Sequence, residues 1–171
     1  GGKVVLASAT SPDDILDAIT EEGVTITALV PAMVTVCMEM LEWDEDYDIS
    51  SLRILQVGGA MLEDSLADKI IEEWPCKLMQ VFGTAEGLLS FTSPEDEGSL
   101  IARCQGTPVS PADEVKIVDE EDKAVPEGVF GELLSRGPYT IDGYYMAEEA
   151  NKKSFTSDGF YRTGDKAMWT K

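Results

Sequence analysis

The segment LRILQVGGAMLEDSLADKIIEEWPCKLMQVFG, residues 52–83, sets the architecture. Leu52 to Val57 is an apolar run of strand length that stops at Gly58-Gly59. Leu62, Leu66, Ile70 and Trp74 then recur at steps of four, the stripe of an amphipathic helix, and Pro75 breaks it. Lys77 to Phe82 is a second apolar strand, ending in Gly83. Strand, helix and strand with connections this short predict parallel neighbours joined by a right-handed crossover.

The alternation extends upstream. Lys3 to Ala7 reads as a short buried strand. Ser11-Pro12-Asp13-Asp14 reads as a helix start, with a Ser cap, Pro at the first helical position and acids at the positive helix end. Ile15, Leu16 and Ile19 give that helix an apolar face, and Gly23 can end it. Val24 to Val30 is a β-rich run that stops at Pro31, and Val34, Cys37, Met38 and Leu41 share one side of the next helix.

Downstream of Thr92 the character changes. Ser93-Pro94-Glu95-Asp96-Glu97-Gly98 reads as an acidic turn or linker. From Gly106 onward the signals are short strands and turns. Glu114 to Asp119 alternates, with Val115 and Ile117 on one face, and Gly131 to Arg136 is a further strand between the breaks Pro126-Glu127-Gly128 and Gly137-Pro138. The fold class is α/β: a parallel-sheet α/β subdomain over residues 1–92, an acidic linker over 93–104, and a small antiparallel, barrel-like β lobe over 105–171.

Composition narrows the function. The chain has 171 residues, 43% apolar and 27% charged, which are globular values with enough apolar mass for a core. Its formal charge of -20 repels nucleic acid and anionic membrane, so neither is an expected partner. The plain reading of that charge is a well-solvated surface. No apolar run approaches the roughly 20 residues of a membrane span, and there is no N-terminal signal pattern. With no histidine in the chain, Ser-His-Asp and Cys-His catalysis and His-ligated zinc are excluded from it. The cysteines Cys37, Cys76 and Cys104 are far apart and form no Cys-x-x-Cys pair, which suits thiols used as small apolar residues in a reducing cytoplasm. The start at Gly1-Gly2-Lys3, without Met, reads as a piece of a longer protein.

Three strands end in small or special residues: Val30-Pro31, Gly58-Gly59-Ala60 and Gly83-Thr84. In an open parallel sheet, ligands bind outside the carboxyl ends of the strands. These glycines either let a flat ring or a phosphate approach the backbone, or simply make tight turns. Glu86 follows a glycine turn beside an expected helix start. It can hold Mg²⁺ against phosphate oxygens, or complement the helix N-terminus. Asp165 follows Thr163-Gly164 after the aromatic pair Phe160-Tyr161. It can accept hydrogen bonds from both hydroxyls of a ribose, or be a turn Asp.

QVFGTAEGL (residues 80–88) resembles the adenine- and magnesium-binding motif of the adenylate-forming superfamily, which includes acyl-CoA synthetases, peptide-synthetase adenylation domains and luciferases. LQVGGA (55–60) resembles the family's adenine-contacting turn, and GELLSRGPYTIDGYY (131–145) and YRTGD (161–165) resemble its next two motifs. All occur in family order. Within the superfamily, the phrases look most like the ligases that adenylate 2,3-dihydroxybenzoate or salicylate for siderophore assembly.

The resemblance implies a flavodoxin-like half of the adenylating-enzyme large domain, with ATP/AMP and Mg²⁺ as cofactors. It implies that Gly58, Gly59 and Ala60 lie against the adenine and the aryl ring, with Gly83 and Thr84 in the nucleotide-binding turn. Phe82, where Tyr is more usual, would flank the adenine. Glu86 would be the catalytic metal ligand and Asp165 the ribose contact. Val81, Ala85 and Leu89 would line the aryl-acid pocket. Ala85 stands where most members have Thr, a departure tolerated in the aryl-acid branch. In similar ligases Leu at position 89 goes with salicylate and Val with dihydroxybenzoate, because an extra methylene fills the room of a 3-hydroxyl. The implied partners are an aryl acid and a carrier protein bearing a phosphopantetheine thiol. A coenzyme A ligase of the same superfamily and a non-catalytic small-ligand module are the alternatives. The family's phosphate loop and catalytic Lys lie outside these residues, so the chain by itself is expected to be inactive.

Overall fold

The computed structural model describes residues 1–170, and the chain divides into two compact units. Residues 1–81 with 91–106 form the first, and residues 82–90 with those from Thr107 on form the second.

In the first unit, helix α1 (Pro12–Glu22) starts as its sequence dictates. The Ser11 hydroxyl accepts from the Asp14 amide, Pro12 opens the first turn, and Gly23 caps the far end at φ 61°. Strand β1 (Ile26–Leu29), helix α2 (Pro31–Trp43), strand β2 (Ile54–Gly58), helix α3 (Asp64–Glu73) and the first residues of strand β3 (Lys77–Thr84) follow in order. β1 pairs parallel with β2, and β2 parallel with β3, so α2 and α3 are the expected crossovers. The registers Leu29↔Val57, Val57↔Gln80 and Gly58↔Val81 bring the carboxyl ends of these strands level.

The predicted stripe of α3 faces inward: Ile70 is fully buried, Leu62 and Trp74 flank the helix in the same core, and Leu66 packs against them. Leu16, Val34, Cys37, Leu55 and Leu78 complete the centre. Each such aliphatic side chain contributes roughly 1.5–3 kcal/mol on burial.

Two expectations are corrected here. Lys3 to Ala7 forms no strand, and Val4 and Leu6 are 84% and 87% exposed. β-rich residues become a strand only with a partner ladder, and these have none among the described residues. Beyond the acidic turn, Gly98–Arg103 forms a short helix, α4, which tucks Ile101 and Ala102 into the core. Its single apolar turn was too short to show helical periodicity.

α4 is held by a buried amide. Gln80 is 2% exposed, its Nε2 donates to the Ile101 carbonyl at 2.6 Å, and its Oε1 accepts from Gln105 Nε2 at 3.1 Å. The Gln80 amide donates to Thr92 Oγ1 at 2.9 Å and the Thr92 amide returns to the Gln80 carbonyl at 3.1 Å. A buried polar network of this kind holds only while every member is satisfied.

The second unit contains β4 (Leu88–Phe91, through Ser90), β5 (Thr107–Pro108), β6 (Glu114–Val118), β7 (Gly131–Arg136), helix α5 (Glu148–Ser154) and β8 (Tyr161–Ala167). β6, β7 and β8 form an open antiparallel sheet with β7 in the middle, and among the described residues it does not close into a barrel. One face packs Leu88, Ile117 and Leu133, the other Val118, Leu134 and Phe160. As anticipated, Val115 joins Ile117 on its face. Among the described residues no helix is long and apolar enough to cross a membrane.

Replacing Gln80 with Leu keeps the volume but strands the Ile101 carbonyl and the Gln105 amide. The expected loss is about 2 kcal/mol, read as a lower urea midpoint with unchanged slope. An unchanged midpoint would show that the network contributes nothing.

Candidate functional site

Gly58, Gly59, Ala60 and Val81 fall in the first unit. A Cβ on Gly58 would stand 2.4 Å from the Val81 carbonyl oxygen, so the β2–β3 approach itself requires glycine there. Gly59 lies beside Val30, with 3.4 Å between its absent Cβ and Val30 Cγ1. The structure therefore gathers Val30, Gly58-Gly59 and Val81 at the carboxyl ends of the parallel strands, where such sheets bind ligands. Gly59 and Ala60 are exposed at that edge.

The remaining sequence-predicted positions fall in the second unit. The Gly87 amide donates to the Thr84 carbonyl at 3.2 Å, closing a turn that carries Ala85 and Glu86 at its tip. The expected helix start beside Glu86 is not there, because the turn leads into β4. Leu88 and Ser90 are buried while Leu89 is exposed, which is the two-residue period of a strand. Complementing a helix N-terminus is thereby removed as an account of Glu86. Phe82 packs partly on Leu88, Ile117 and Leu133. Leu89 lies against Gly83, its Cδ1 only 3.0 Å from where a Cβ would be. The Thr84 hydroxyl is buried without a hydrogen-bond partner among the described residues.

Asp165 lies inside β8 and not in a turn. The ladder with β7 is irregular there: Glu132 pairs with Lys166 and Leu134 with Arg162, so Thr163-Gly164-Asp165 bulge opposite Leu133. Bulges re-aim side chains. The Thr163 hydroxyl donates to the Leu133 carbonyl at 3.0 Å and accepts from the Asp165 amide at 3.0 Å. The Asp165 carboxylate is exposed and has no hydrogen bond or ion pair among the described residues.

The segment Gly137–Tyr144 clasps the Glu86 turn. The Ile141 amide donates to the Glu86 carbonyl at 2.8 Å, and the Thr140 hydroxyl to the Gly87 carbonyl at 3.2 Å. A Cβ on Gly87, whose φ is 130°, would lie 2.4 Å from Thr140 Cα, so no side chain fits there. The Tyr144 hydroxyl donates to Glu86 Oε1 at 2.8 Å. Tyr161 is buried behind this pair, its hydroxyl 3.5 Å from that of Tyr144. Burial, then the Tyr144 hydrogen bond and the Glu86 charge, push the Tyr161 phenol well above its ordinary range, so it stays protonated. Sequence reading placed Tyr144 and Tyr161 within motifs but gave neither a role. A contact spanning 58 positions has no periodic signature.

Both arginines of this unit are committed elsewhere. Arg136 grips Glu114 with contacts of 2.7–3.0 Å, and Arg162 grips Asp122 and Glu132 at 2.6–2.7 Å. No described cation pairs with Glu86. No cluster of three or more acidic, His or Cys side chains able to hold a metal exists among the described residues. Glu86 can therefore contribute one carboxylate to a metal shell and no more.

The sequence model described as AMP-binding enzyme matches residues 1–145. The chain is 51% identical over 165 residues to a 2,3-dihydroxybenzoate-AMP ligase of Bacillus subtilis, covering 96% of this chain and 30% of that protein. It is 46% identical over 165 residues to a salicyl-AMP ligase / salicyl-S-ArCP synthetase of Mycobacterium tuberculosis, covering 96% and 29%. The apo structure of Mycobacterium smegmatis MbtA matches with a TM-score of 0.81 and 47% identity, over 91% of this chain and 28% of that one. The chain thus spans about 30% of the length of these relatives. With most of its residues inside the matched region, the chain belongs to the AMP-binding enzyme family.

Proposed function

We propose that this chain supplies acid- and nucleotide-binding residues of an enzyme that activates an aryl acid with ATP. The aryl carboxylate oxygen attacks the α-phosphorus, the bond to the β-phosphate breaks, and pyrophosphate leaves. A phosphopantetheine thiol of a carrier protein then attacks the acyl carbon of the aryl-AMP and AMP departs. The observation that carries this reading is the Glu86 carboxylate, held at a turn tip by one hydrogen bond and free of any described cation.

That arrangement fits Mg²⁺, which is typically held by one or two carboxylates and completes its shell with phosphate oxygens and water. When bound, the ion would offset phosphate charge that Arg136 and Arg162, engaged with carboxylates of this acidic chain, do not meet. The other roles are assigned residue by residue. Gly58, Gly59 and Ala60 offer bare backbone and a methyl to the flat rings. Phe82 flanks the adenine, Gly83 and Thr84 shape the nucleotide turn, and Asp165, whose carboxylate has no partner among the described residues, takes the ribose hydroxyls. Val81, Ala85 and Leu89 bound the aryl ring.

Among aryl acids, Leu89 favours salicylate. The 51% identical relative is named for 2,3-dihydroxybenzoate, but overall identity does not weigh a single side chain of an aryl pocket. The proposed compartment is the cytoplasm, where ATP and carrier proteins are available. The three cysteines are unpaired, and burial pushes the Cys37 and Cys76 thiols up to about 11.

In the complete enzyme, Glu86→Gln keeps the side-chain size and loses the charge. ATP–pyrophosphate exchange is expected to fall roughly 100-fold or more, and near-normal exchange would remove Glu86 from the metal. Leu89→Val is expected to raise the dihydroxybenzoate-to-salicylate ratio of kcat/KM by roughly tenfold, the scale of one methylene in a fitted pocket. An unchanged ratio would mean position 89 does not select the acid. Offering coenzyme A beside a carrier protein identifies the acceptor.

A further inference from the structure

We infer that Tyr144 is the positioning residue of the Glu86 carboxylate, fixing one oxygen so that the other is presented to the metal-bound nucleotide. The inference rests on the proposed role of Glu86 and deepens it.

Tyr144 is held from every side before it reaches Glu86. Asn151, on α5, brackets its backbone: Asn151 Oδ1 accepts from the Tyr144 amide at 2.7 Å, and Nδ2 donates to the Tyr144 carbonyl at 2.9 Å. A Cβ on the preceding Gly143 would stand 3.2 Å from that same amide group, which leaves little room for a side chain there. The Tyr144 ring meets Phe155 edge-on with centroids 5.9 Å apart, and Phe155 leans on Tyr161 at 5.4 Å. Aromatic contacts of this geometry fix ring orientation. The hydroxyl so delivered lies 2.8 Å from Glu86 Oε1, while the Glu86 carbonyl is held by the Ile141 amide.

Main chain and one carboxylate oxygen of Glu86 are thus both fixed by a single eight-residue span, Gly137–Tyr144. No second hydrogen bond of ordinary length reaches the Glu86 carboxylate among the described residues, although the Tyr161 hydroxyl lies close enough for a weaker one. A carboxylate on a turn would otherwise rotate among several rotamers, and ordering it at each binding event costs side-chain entropy. A metal ligand oriented in advance by a neighbouring hydrogen bond binds its ion 10–100-fold more tightly, by the scale of such supporting contacts elsewhere.

The test uses the complete enzyme, with Tyr144→Phe, Glu86→Gln and the double variant. The Phe ring retains the packing on Phe155, and circular dichroism and AMP binding without metal check that the fold persists. Mn²⁺ binding in the presence of a non-hydrolysable ATP analogue is followed by the free-ion paramagnetic signal, independently of turnover. Tyr144→Phe is expected to weaken Mn²⁺ roughly tenfold, to raise the Mg²⁺ needed for half-maximal exchange in parallel, and to leave metal-free AMP binding within about twofold. In the Glu86→Gln background it is expected to add nothing. If Glu86→Gln weakens Mn²⁺ and Tyr144→Phe does not, the positioning role is wrong and the metal reading stands. If Tyr144→Phe still weakens Mn²⁺ when Glu86 is Gln, its action does not run through Glu86 and the inference fails. If Glu86→Gln leaves Mn²⁺ binding unchanged, both readings fall together.

Discussion

The second unit depends on one steric fact: Gly87 has no Cβ. Its φ of 130° and the 2.4 Å that would separate a Cβ from Thr140 Cα admit no other residue. Because the two backbones can touch, the Ile141 amide and the Thr140 hydroxyl reach the turn. Because the span Gly137–Tyr144 is anchored there, the Tyr144 hydroxyl arrives at Glu86. Push the two backbones apart by the width of a methyl group and every one of these hydrogen bonds lengthens together. The turn 84–87 and the span 137–144 thus fit one another because Gly87 puts no side chain between them.

Much of the first unit was legible in the sequence because its signals are local. The four-residue steps of Leu62, Leu66, Ile70 and Trp74 describe one helix face, and Gly58 and Gly83 punctuate the strands on either side. Lys3 to Ala7 has strand composition as good as that of β1, yet a strand is defined by its neighbour, which composition does not report. Glu86 was misjudged in context for a related reason. Leu88-Leu89-Ser90-Phe91 is too short to separate helix from strand by pattern, and only burial of alternate residues decided it. Asp165 looked like a turn residue because Gly-Asp pairs usually are, whereas it sits on a strand bulge that only the ladder with β7 reveals. Tyr144 and Asn151 were invisible as a pair of supports, since what matters about them is whom they touch.

The charge of the chain, -20, shapes what its polar groups can do. No described carboxylate residue is fully buried, and Arg103, Arg136 and Arg162 are drawn into ion pairs with them. Lys116 and Arg136 also lie over the Phe160 ring at 3.7 and 4.4 Å from its centroid. Individually such exposed pairs contribute at most about 1 kcal/mol. Their effect on the site is indirect, because they consume cations that would otherwise bind phosphate.

Helix α5 has no buried residue. It keeps its place through Asn151 and through Phe155 just past its end. The Asn151 side chain acts there with both of its polar ends, one as acceptor and one as donor. Deamidation to Asp, the ordinary chemical ageing of an asparagine, would keep the acceptor and turn the donor into a second negative oxygen facing the Tyr144 carbonyl. A lesion of one atom on a solvent-facing helix would then travel through Tyr144 to the carboxylate of Glu86. The order of the Glu86 carboxylate would then depend on the chemical integrity of a side chain that does not itself contact Glu86.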